Sequence, residues 1–252
     1  MISVAMTTLN GLPYVREQIS SILPQLAPTD ELVVSDDGST DGTLAYLEGL
    51  AWGDKRLKLL EGPGTGLIDN FANTLLHCRG DIIFLSDHDD VWLPDKIEQI
   101  KTIFALNPKV ILVQHNARFT DSQLNPQALT TFAWRKVRPG LVANLLRNRY
   151  HGCTMAFRHE LLYAALPFPK AIPMHDQWLG MIAETIGGVI FYDEVLSLYR
   201  RHEKTMTTGH PHSWAQMYAW RKSLWRELKQ RRRDLKERDL IKKRKLVKRE
   251  EE

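Results

Sequence analysis

Along the first ninety residues, short apolar runs alternate with segments whose apolar positions recur at helical spacing. Ile2 to Met6 reads as a strand, and Tyr14 to Leu26 as a helix with Val15, Ile19, Ile22 and Leu26 on one face. Glu31 to Ser35 predicts a second strand, Thr43 to Leu50 a short helix, and Arg56 to Leu60 a third strand. The glycine-broken stretch 62–66 leads into a helix bearing Leu67, Ile68, Phe71, Leu75 and Leu76, and Asp81 to Leu85 is the fourth strand. This rhythm predicts an α/β fold with a mostly parallel, Rossmann-like central sheet flanked by crossover helices.

Beyond Trp92 the pattern loosens. Pro94 is placed to open a helix reaching about Leu106, with Asp95 in its first turn. Strands are expected at Val110 to Gln114, Gly152 to Arg158, Val189 to Tyr192 and Leu196 to Tyr199. Helices are expected near Leu141 to Arg147, from Glu160, and over Asp176 to Ile186. Phe119 to Arg149 otherwise carries turn signals and a basic patch at Arg135, Lys136 and Arg138, and a polar loop follows from Arg200 to His212. Over 214–228, Trp214, Met217, Tyr218, Leu224, Trp225 and Leu228 fall near one helical stripe flanked by Arg221, Lys222, Arg226 and Lys229. Such a stripe suits a lipid interface or packing on the domain or a partner, and both readings stand. The expected organisation is one domain over 1–210 and a basic amphipathic helical extension over 211–252.

Charge sharpens that division. From Arg221 to Glu252 there are 15 Lys or Arg against seven Asp or Glu, while residues 1–220 carry 19 against 23. An acidic body argues against an extended phosphate-binding face, so no nucleic-acid partner is expected. The basic residues within 214–249 would instead be drawn to an anionic membrane surface. The two cysteines, Cys78 and Cys153, show no disulfide framework or metal spacing. With no signal-like start and no apolar run of about 20 residues, the expected location is the cytoplasm, peripheral on the inner face of the cell membrane.

The chemistry gathers in loops. Ligands in such sheets sit at the carboxyl ends of strands, and three polar loops fall there: Thr7 to Asn10, Asp36 to Asp41, and Asp87 to Asp90. Asp87 and Asp89 lie two apart on extended backbone, so both can address one hard divalent ion, which could hold a diphosphate. The plainer readings are a solvated acidic loop at 87–90, a turn with an N-cap at Ser39 or Thr40, and a helix N-cap at Asp176.

Taken together, these residues resemble glycosyltransferase family 2, nucleotide-sugar-dependent enzymes with the GT-A fold, over roughly residues 1–205. Met6-Thr7-Thr8-Leu9-Asn10 stands where that family has Pro-Thr-Tyr-Asn, departing from it at Thr7 and Leu9, and Val33 to Thr43 matches its acidic loop almost throughout. The resemblance implies that Asp37 binds the nucleotide base, that Thr8 and Asn10 belong to the same donor site, and that Asp87 faces the ribose. It further implies that Asp89 ligates Mn²⁺ or Mg²⁺. Pro173-Met174-His175-Asp176-Gln177-Trp178 resembles the family's acidic motif, which makes Asp176 the general base. Leu198 to His202 resembles a late segment whose histidine, here His202, reaches the metal or diphosphate, with Arg200 or Arg201 on phosphate oxygens. His151 and Gly152 stand where the family lines its acceptor pocket.

Elementary chemistry agrees with these assignments. A carboxylate accepts the imide N–H of uracil or thymine, and a cation neutralises charge growing on the departing diphosphate. The implied enzyme is an inverting, metal-dependent hexosyl- or deoxyhexosyltransferase. Its donor would be a UDP- or dTDP-linked sugar, and its acceptor a hydroxyl of a glycan or lipid-linked glycan in bacterial surface polysaccharide biosynthesis. Ser-Asp-x-Asp-Asp-Val-Trp looks most like the rhamnosyltransferase-like branch. The alternative is a haloacid dehalogenase-type phosphohydrolase using Asp87 and Asp89. That family places its pair on the first strand and follows it with Thr or Val, whereas here the pair comes after three strand–helix units and precedes Asp90. A sugar nucleotidyltransferase would want a basic glycine-rich loop after strand one, which Asn10-Gly11-Leu12-Pro13 does not supply.

Overall fold

The computed structural model describes residues 1–203 and 213–250, with side chains described as far as residue 237. The chain opens as β1 (Ile2–Thr8), α1 (Tyr14–Ile22), β2 (Glu31–Asp36), α2 (Thr43–Gly53), β3 (Leu57–Glu61), α3 (Leu67–His77) and β4 (Ile82–Ser86). β1 pairs in parallel with both β2 and β4, and β2 with β3. Every residue of β1 and β2 is buried, as expected of parallel strands covered on both faces. Their alternate side chains feed two separate cores. Ala5, Val33, Ile83 and Leu85 pack with Phe71, Leu75 and Trp178, while Val4, Met6, Val34 and Phe84 pack with Ile19, Ile22 and Ile100. The first helix is shorter than its apolar spacing predicts: it stops at Ile22 and passes into a 3-10 turn, Leu23–Gln25, where Pro24 cannot donate the next helical hydrogen bond.

The second half adds β5 (Val91–Trp92), α4 (Lys96–Leu106), β6 (Val110–Thr120), β7 (Pro126–Thr130), α5 (Thr131–Arg135), α6 (Leu141–Leu146), β8 (Met155–Arg158), α7 (Glu160–Ala165), α8 (His175–Ile186) and β9 (Gly188–Arg200). The sheet order is β3-β2-β1-β4-β8-β6-β9-β5, with β7 paired to β6. The parallel rhythm holds through β4. Beyond it β8 is antiparallel to both β4 and β6, β9 is parallel to β6, and β5 is antiparallel to β9.

Other elements differ from the sequence pattern as well. α4 begins at Lys96 rather than Pro94, and Asp95 is its N-cap, held at φ 63°. β6 continues to Thr120, and β9 is one strand where two are expected, because Asp193 and Glu194 interrupt its apolar run without ending it. The register between β6 and β9 shifts at Asn116, whose amide donates to Asp193 at 2.6 Å and so absorbs the irregularity in a hydrogen bond.

The last helix, α9 (Trp214–Glu250), lies against α6 and α8. Leu224 and Leu228 are buried in the core that holds Trp178, and Arg231 donates to the Ala164 carbonyl at 2.8 Å. This part of the amphipathic stripe therefore packs on the body, while Trp214 and Tyr218 stay exposed. Among the described residues no helix is long and apolar enough to cross a membrane. Residues 204–212 of the expected polar loop, and the side chains of the basic run beyond 237, lie outside the described residues.

Candidate active site

Four loops meet at the carboxyl ends of β1, β2 and β4. Asp36, at the end of β2, is the organising group of the first two. Its carboxylate accepts from Thr8 Oγ1 at 2.7 Å, Ser39 N at 2.7 Å, Ser39 Oγ at 2.6 Å and Gly38 N at 3.2 Å. Thr8 is buried and spent on this bond, so the structure places it behind the site as a support for the Asp36 loop. Asn10, at φ 51°, locks the same loop from the other side. Its Oδ1 accepts from Thr40 N at 2.8 Å and its own N–H donates to Ser39 Oγ at 2.7 Å. Gly38 sits at φ 97°, a conformation that a side chain would strain.

Asp37 turns the other way. Its two oxygens accept from Gly64 N at 2.7 Å and Gly66 N at 3.1 Å, drawing the stretch 62–66 over the end of β2. A Cβ on Gly62 would stand 2.7 Å from the Asp36 carbonyl and 2.8 Å from Asp37 Oδ1, so only glycine permits this approach. Asp37 remains half-exposed at the rim, and each oxygen keeps acceptor capacity for a ligand N–H.

The acidic triplet after β4 divides into different environments. Asp87 is half-buried. Burial, followed by repulsion from Asp89, Asp90 and Asp176, pushes its carboxyl well above the usual range. Asp89 Oδ2 lies 2.8 Å from His202 Nε2. Burial opposes its charge, but the hydrogen bond to His202 and the nearby His88 outweigh that and hold its carboxyl below the ordinary range. Asp90 points inward: Oδ1 accepts from the backbone of Arg200 at 3.1 Å, while Oδ2 is buried without a hydrogen-bond partner among the described residues. Burial and Asp89 push it up to about 7. Ligand atoms of Asp87, Asp90 and Cys153 lie within 4.8 Å of one another. Both cysteines are free and buried, but Cys153 is thus part of the floor of the acidic cluster.

Of the two arginines expected near the phosphates, Arg200 is already bonded within the protein. Its guanidinium is buried and donates to the Asp89 carbonyl (2.8 Å), the Ser122 carbonyl (2.6 Å) and Glu17, and it lies 4.6 Å over the Tyr14 ring. These bonds clamp the chain that carries His202. Arg201 is exposed and lies 5.4 Å over the Phe119 ring.

Asp176 enters from α8. Met174 is the N-cap residue, so Asp176 stands inside the first turn. Its Oδ1 accepts from its neighbour Gln177 N (2.5 Å) and from Asn148 Nδ2 (3.0 Å), and its charge bears on Asp87. It serves one N–H of the helix start, but it is buried, which an exposed cap is not. Gly152 packs under it, where a Cβ would stand 3.2 Å from His175 Nε2 and 3.7 Å from Asp176 Cβ. His151 is buried with its ring edge-on to Tyr199 at 4.7 Å. The structure therefore sets Asp89 against His202, places Asp37 and Asp87 in loops at the same carboxyl edge of the sheet, and leaves Asp176 near enough for its charge to act on Asp87, with Thr8 and Asn10 bracing the Asp36 loop.

Two buried groups escape the sequence patterns. Lys96 lies 3.8 Å over the Trp92 ring and donates to the Cys153 carbonyl and Ser197 Oγ, each at 3.3 Å. Burial pushes its pKa down to about 7, against the pull of nearby acids that include Asp90 and Asp87. A cation in the first turn of a helix opposes the helix dipole, and that was the available signal. His175 stacks on Phe71 at 4.0 Å, and burial lowers its pKa.

Comparison with known proteins bears on the family and the fold. The family model described as glycosyl transferase family 2 matches residues 3–164. An uncharacterized glycosyltransferase of Haemophilus influenzae is 29% identical over 228 residues, covering 84% of this chain and 69% of that protein. One from Rickettsia felis is 26% identical over 215 residues, covering 81% of this chain and 35% of its own length. The chain thus spans about a third of the Rickettsia relative. Among solved structures, S. aureus TarS 1-349 in complex with UDP-GlcNAc has a TM-score of 0.67 at 20% identity, over 91% of this chain and 66% of that one. The mannosyltransferase PcManGT from Pyrobaculum calidifontis, in complex with GDP-Man and Mn²⁺, has a TM-score of 0.64 at 25% identity, over 81% and 58%.

Proposed function

Because this chain belongs to glycosyl transferase family 2, we propose that it is an inverting, metal-dependent hexosyl- or deoxyhexosyltransferase. Its donor is a nucleoside-diphosphate sugar, UDP- or dTDP-linked, and its acceptor is a hydroxyl of a glycan or lipid-linked glycan used in bacterial surface polysaccharide synthesis. The observation that carries this reading is the contact of Asp89, in the acidic cluster that follows β4, with His202 at 2.8 Å, together with a further buried carboxylate, Asp176, supplied by α8. One carboxylate on the acceptor side and a cluster on the leaving-group side are what an in-line displacement with inversion requires.

The roles follow from position. Asp37 accepts the imide N–H of the base, and Asp36, Thr8 and Asn10 hold the loop that presents it. Asp87 faces the ribose. The donor set suits a divalent cation: a carboxylate oxygen of Asp89 and an imidazole nitrogen of His202 already lie side by side, next to acids that repel one another. Asp89 and His202 would hold Mn²⁺ or Mg²⁺, which when bound supplies Lewis-acid neutralisation of the departing diphosphate. Asp176 takes the acceptor proton as the hydroxyl oxygen attacks the anomeric carbon, and Asn148 keeps its carboxylate aimed. The solved neighbours, which hold UDP-GlcNAc in one case and GDP-Man with Mn²⁺ in the other, support a nucleotide-sugar donor and a metal. The phosphohydrolase alternative is not favoured: the Asp-x-Asp follows the fourth strand of a chain whose family is assigned.

The test is release of nucleoside diphosphate from a panel of UDP-, dTDP- and GDP-sugars, with and without Mn²⁺, using Asp89→Ala and Asp176→Ala as controls. Phosphatase activity without donor binding or transfer would end this reading.

A further inference from the structure

We infer that the corner where α6 meets the start of α9 is a docking surface for an anionic lipid bilayer, and that it sets the acceptor side of the site against that bilayer. The inference rests on the proposed lipid-linked acceptor for its purpose, but not for its evidence.

The amphipathic stripe of α9 is divided in two. Leu224 and Leu228 are buried on the body, with Trp225 packed beside them, so they are unavailable to a partner. The same helix leaves Trp214 and Tyr218 exposed at 83% and 68%, spaced i, i+4 and continuing at i+7 into Arg221. Arg221 donates to the Leu146 carbonyl at 2.7 Å, tying this face to the end of α6. There Val142 and Leu146, four residues apart, are themselves 64% and 56% exposed. Two helices thus present four large apolar side chains to solvent around one hydrogen-bonded junction.

Charge selects the occupant. Residues 135–149 hold five Lys or Arg and no acid, and residues 214–226 add Arg221, Lys222 and Arg226, again with no acid. Lys136, Arg138 and Arg147 are exposed, as are Lys222 and Arg226. Aromatic side chains ringed by cations match the interface of an anionic leaflet, where the rings enter the headgroup boundary and the cations meet lipid phosphates. A second copy of the chain would bring the same cations face to face and is disfavoured by repulsion. The consequence for function lies two residues past Leu146, where Asn148 donates to Asp176. A hydroxyl presented from the bilayer surface at this corner arrives on the side of the general base.

The experiment is co-sedimentation of the full chain with phosphatidylcholine vesicles, with and without phosphatidylglycerol, in the absence of donor and acceptor, together with quenching of tryptophan fluorescence by brominated lipid. Binding to the anionic vesicles only, weakened by salt, is expected. Trp214→Ser with Tyr218→Ser should weaken it roughly tenfold and reduce the quenching. Trp52→Ser, at an exposed position on α2 far along the chain, should change neither. Circular dichroism checks that each variant is folded. Absence of vesicle binding by the unaltered chain would overturn the inference, as would an equal loss in Trp52→Ser or undiminished binding in the double variant. Loss of a concentration-dependent dimer in the double variant, without loss of vesicle binding, would assign the corner to a second copy instead. Because no sugar is transferred in this assay, its failure is separate from failure of the transferase reading.

Discussion

Asp89 and His202 are 113 residues apart in the chain, yet Oδ2 of one lies 2.8 Å from Nε2 of the other. A carboxylate and an imidazole held together beside two further acids form a donor set of oxygen and nitrogen, as a hard or borderline divalent ion prefers. Asp89→Asn and His202→Ala should each weaken Mn²⁺ binding by more than the roughly 10–100-fold lost when a supporting group is removed. Electron paramagnetic resonance of free Mn²⁺ reads this without turnover. Unchanged affinity in both variants would remove the pair from the metal site.

Arg200 should behave as a support of that pair. Its fork joins Asp89, Ser122 and Glu17, and its backbone N–H is held by Asp90, so the chain two residues before His202 is fixed at several points. Arg200→Lys keeps the charge but not the planar fork. The expected result is a loss of Mn²⁺ affinity of about 10–100-fold, with little change in the affinity for a nucleoside measured without metal. A phosphate-binding role would instead weaken nucleoside diphosphate far more than nucleoside with no effect on free Mn²⁺.

How much of this was legible in the sequence depends on the distance over which each feature is encoded. β1 to β4 and their helices follow from local periodicity, and the acidic loops at Asp36 and Asp87 announce themselves because apolar strands end in carboxylates. The direction of β8 does not, since nothing in Met155–Arg158 says whether it runs with or against β4. Roles were harder to read than places. Thr8 lies where it was expected but is consumed by Asp36, and Arg200 is consumed by three partners from distant segments, facts that only tertiary contacts decide. The stripe on α9 could be read as lipid-facing or core-facing. The structure answers differently for its two halves, because Leu224 and Leu228, with Trp225 beside them, pack on the core that holds Trp178, while Trp214 and Tyr218 stay exposed.

Thr8 and Asp36 give a stability prediction. Removing the Thr8 hydroxyl withdraws a donor from a buried carboxylate, and a hydrogen bond to a charged group contributes about 1.5–3 kcal/mol. Thr8→Val should therefore lower the melting temperature by roughly 2–4 °C for each kcal/mol lost. It should also weaken the donor by loosening the Asp36–Ser39 turn. Asp37→Asn should do the reverse, with little effect on melting and a raised KM for donors whose base offers an imide N–H. Equal effects of both variants on melting and on KM would show that the two aspartates do not divide their work.

Asp176 separates chemistry from donor binding. With its carboxylate replaced by an amide of the same shape, Asn148 and Gln177 can still be accommodated, but no base remains for the acceptor proton. Asp176→Asn should reduce kcat by about 10²–10⁴ while leaving the thermal shift produced by nucleoside diphosphate and Mn²⁺ within error of the parent. Loss of that thermal shift would make Asp176 part of the donor site.

The three buried histidines favour unfolding as the pH falls, against a smaller opposite contribution from Asp87 and Asp90, whose raised carboxyls take up protons in the folded state first. His115, His151 and His175 are each held below the usual imidazole pKa by burial first, and His151 falls to about 3. In the unfolded chain all three titrate near 6.5. Between about 6.5 and the depressed folded values the unfolded state therefore binds more protons than the native one, so stability falls as pH falls. The stabilising contribution is fully present above pH 6.5 and is lost as the pH drops toward the folded values. Each histidine adds a slope of about 1.4 kcal/mol per pH unit once the unfolded imidazole is fully protonated. Urea midpoints measured from pH 8 to pH 5 should decline below pH 6.5. His151→Phe, whose ring can keep the edge contact with Tyr199, should decline less steeply across that range. A His151→Phe variant with the parent's slope would mean that this imidazole accepts a proton in the folded state.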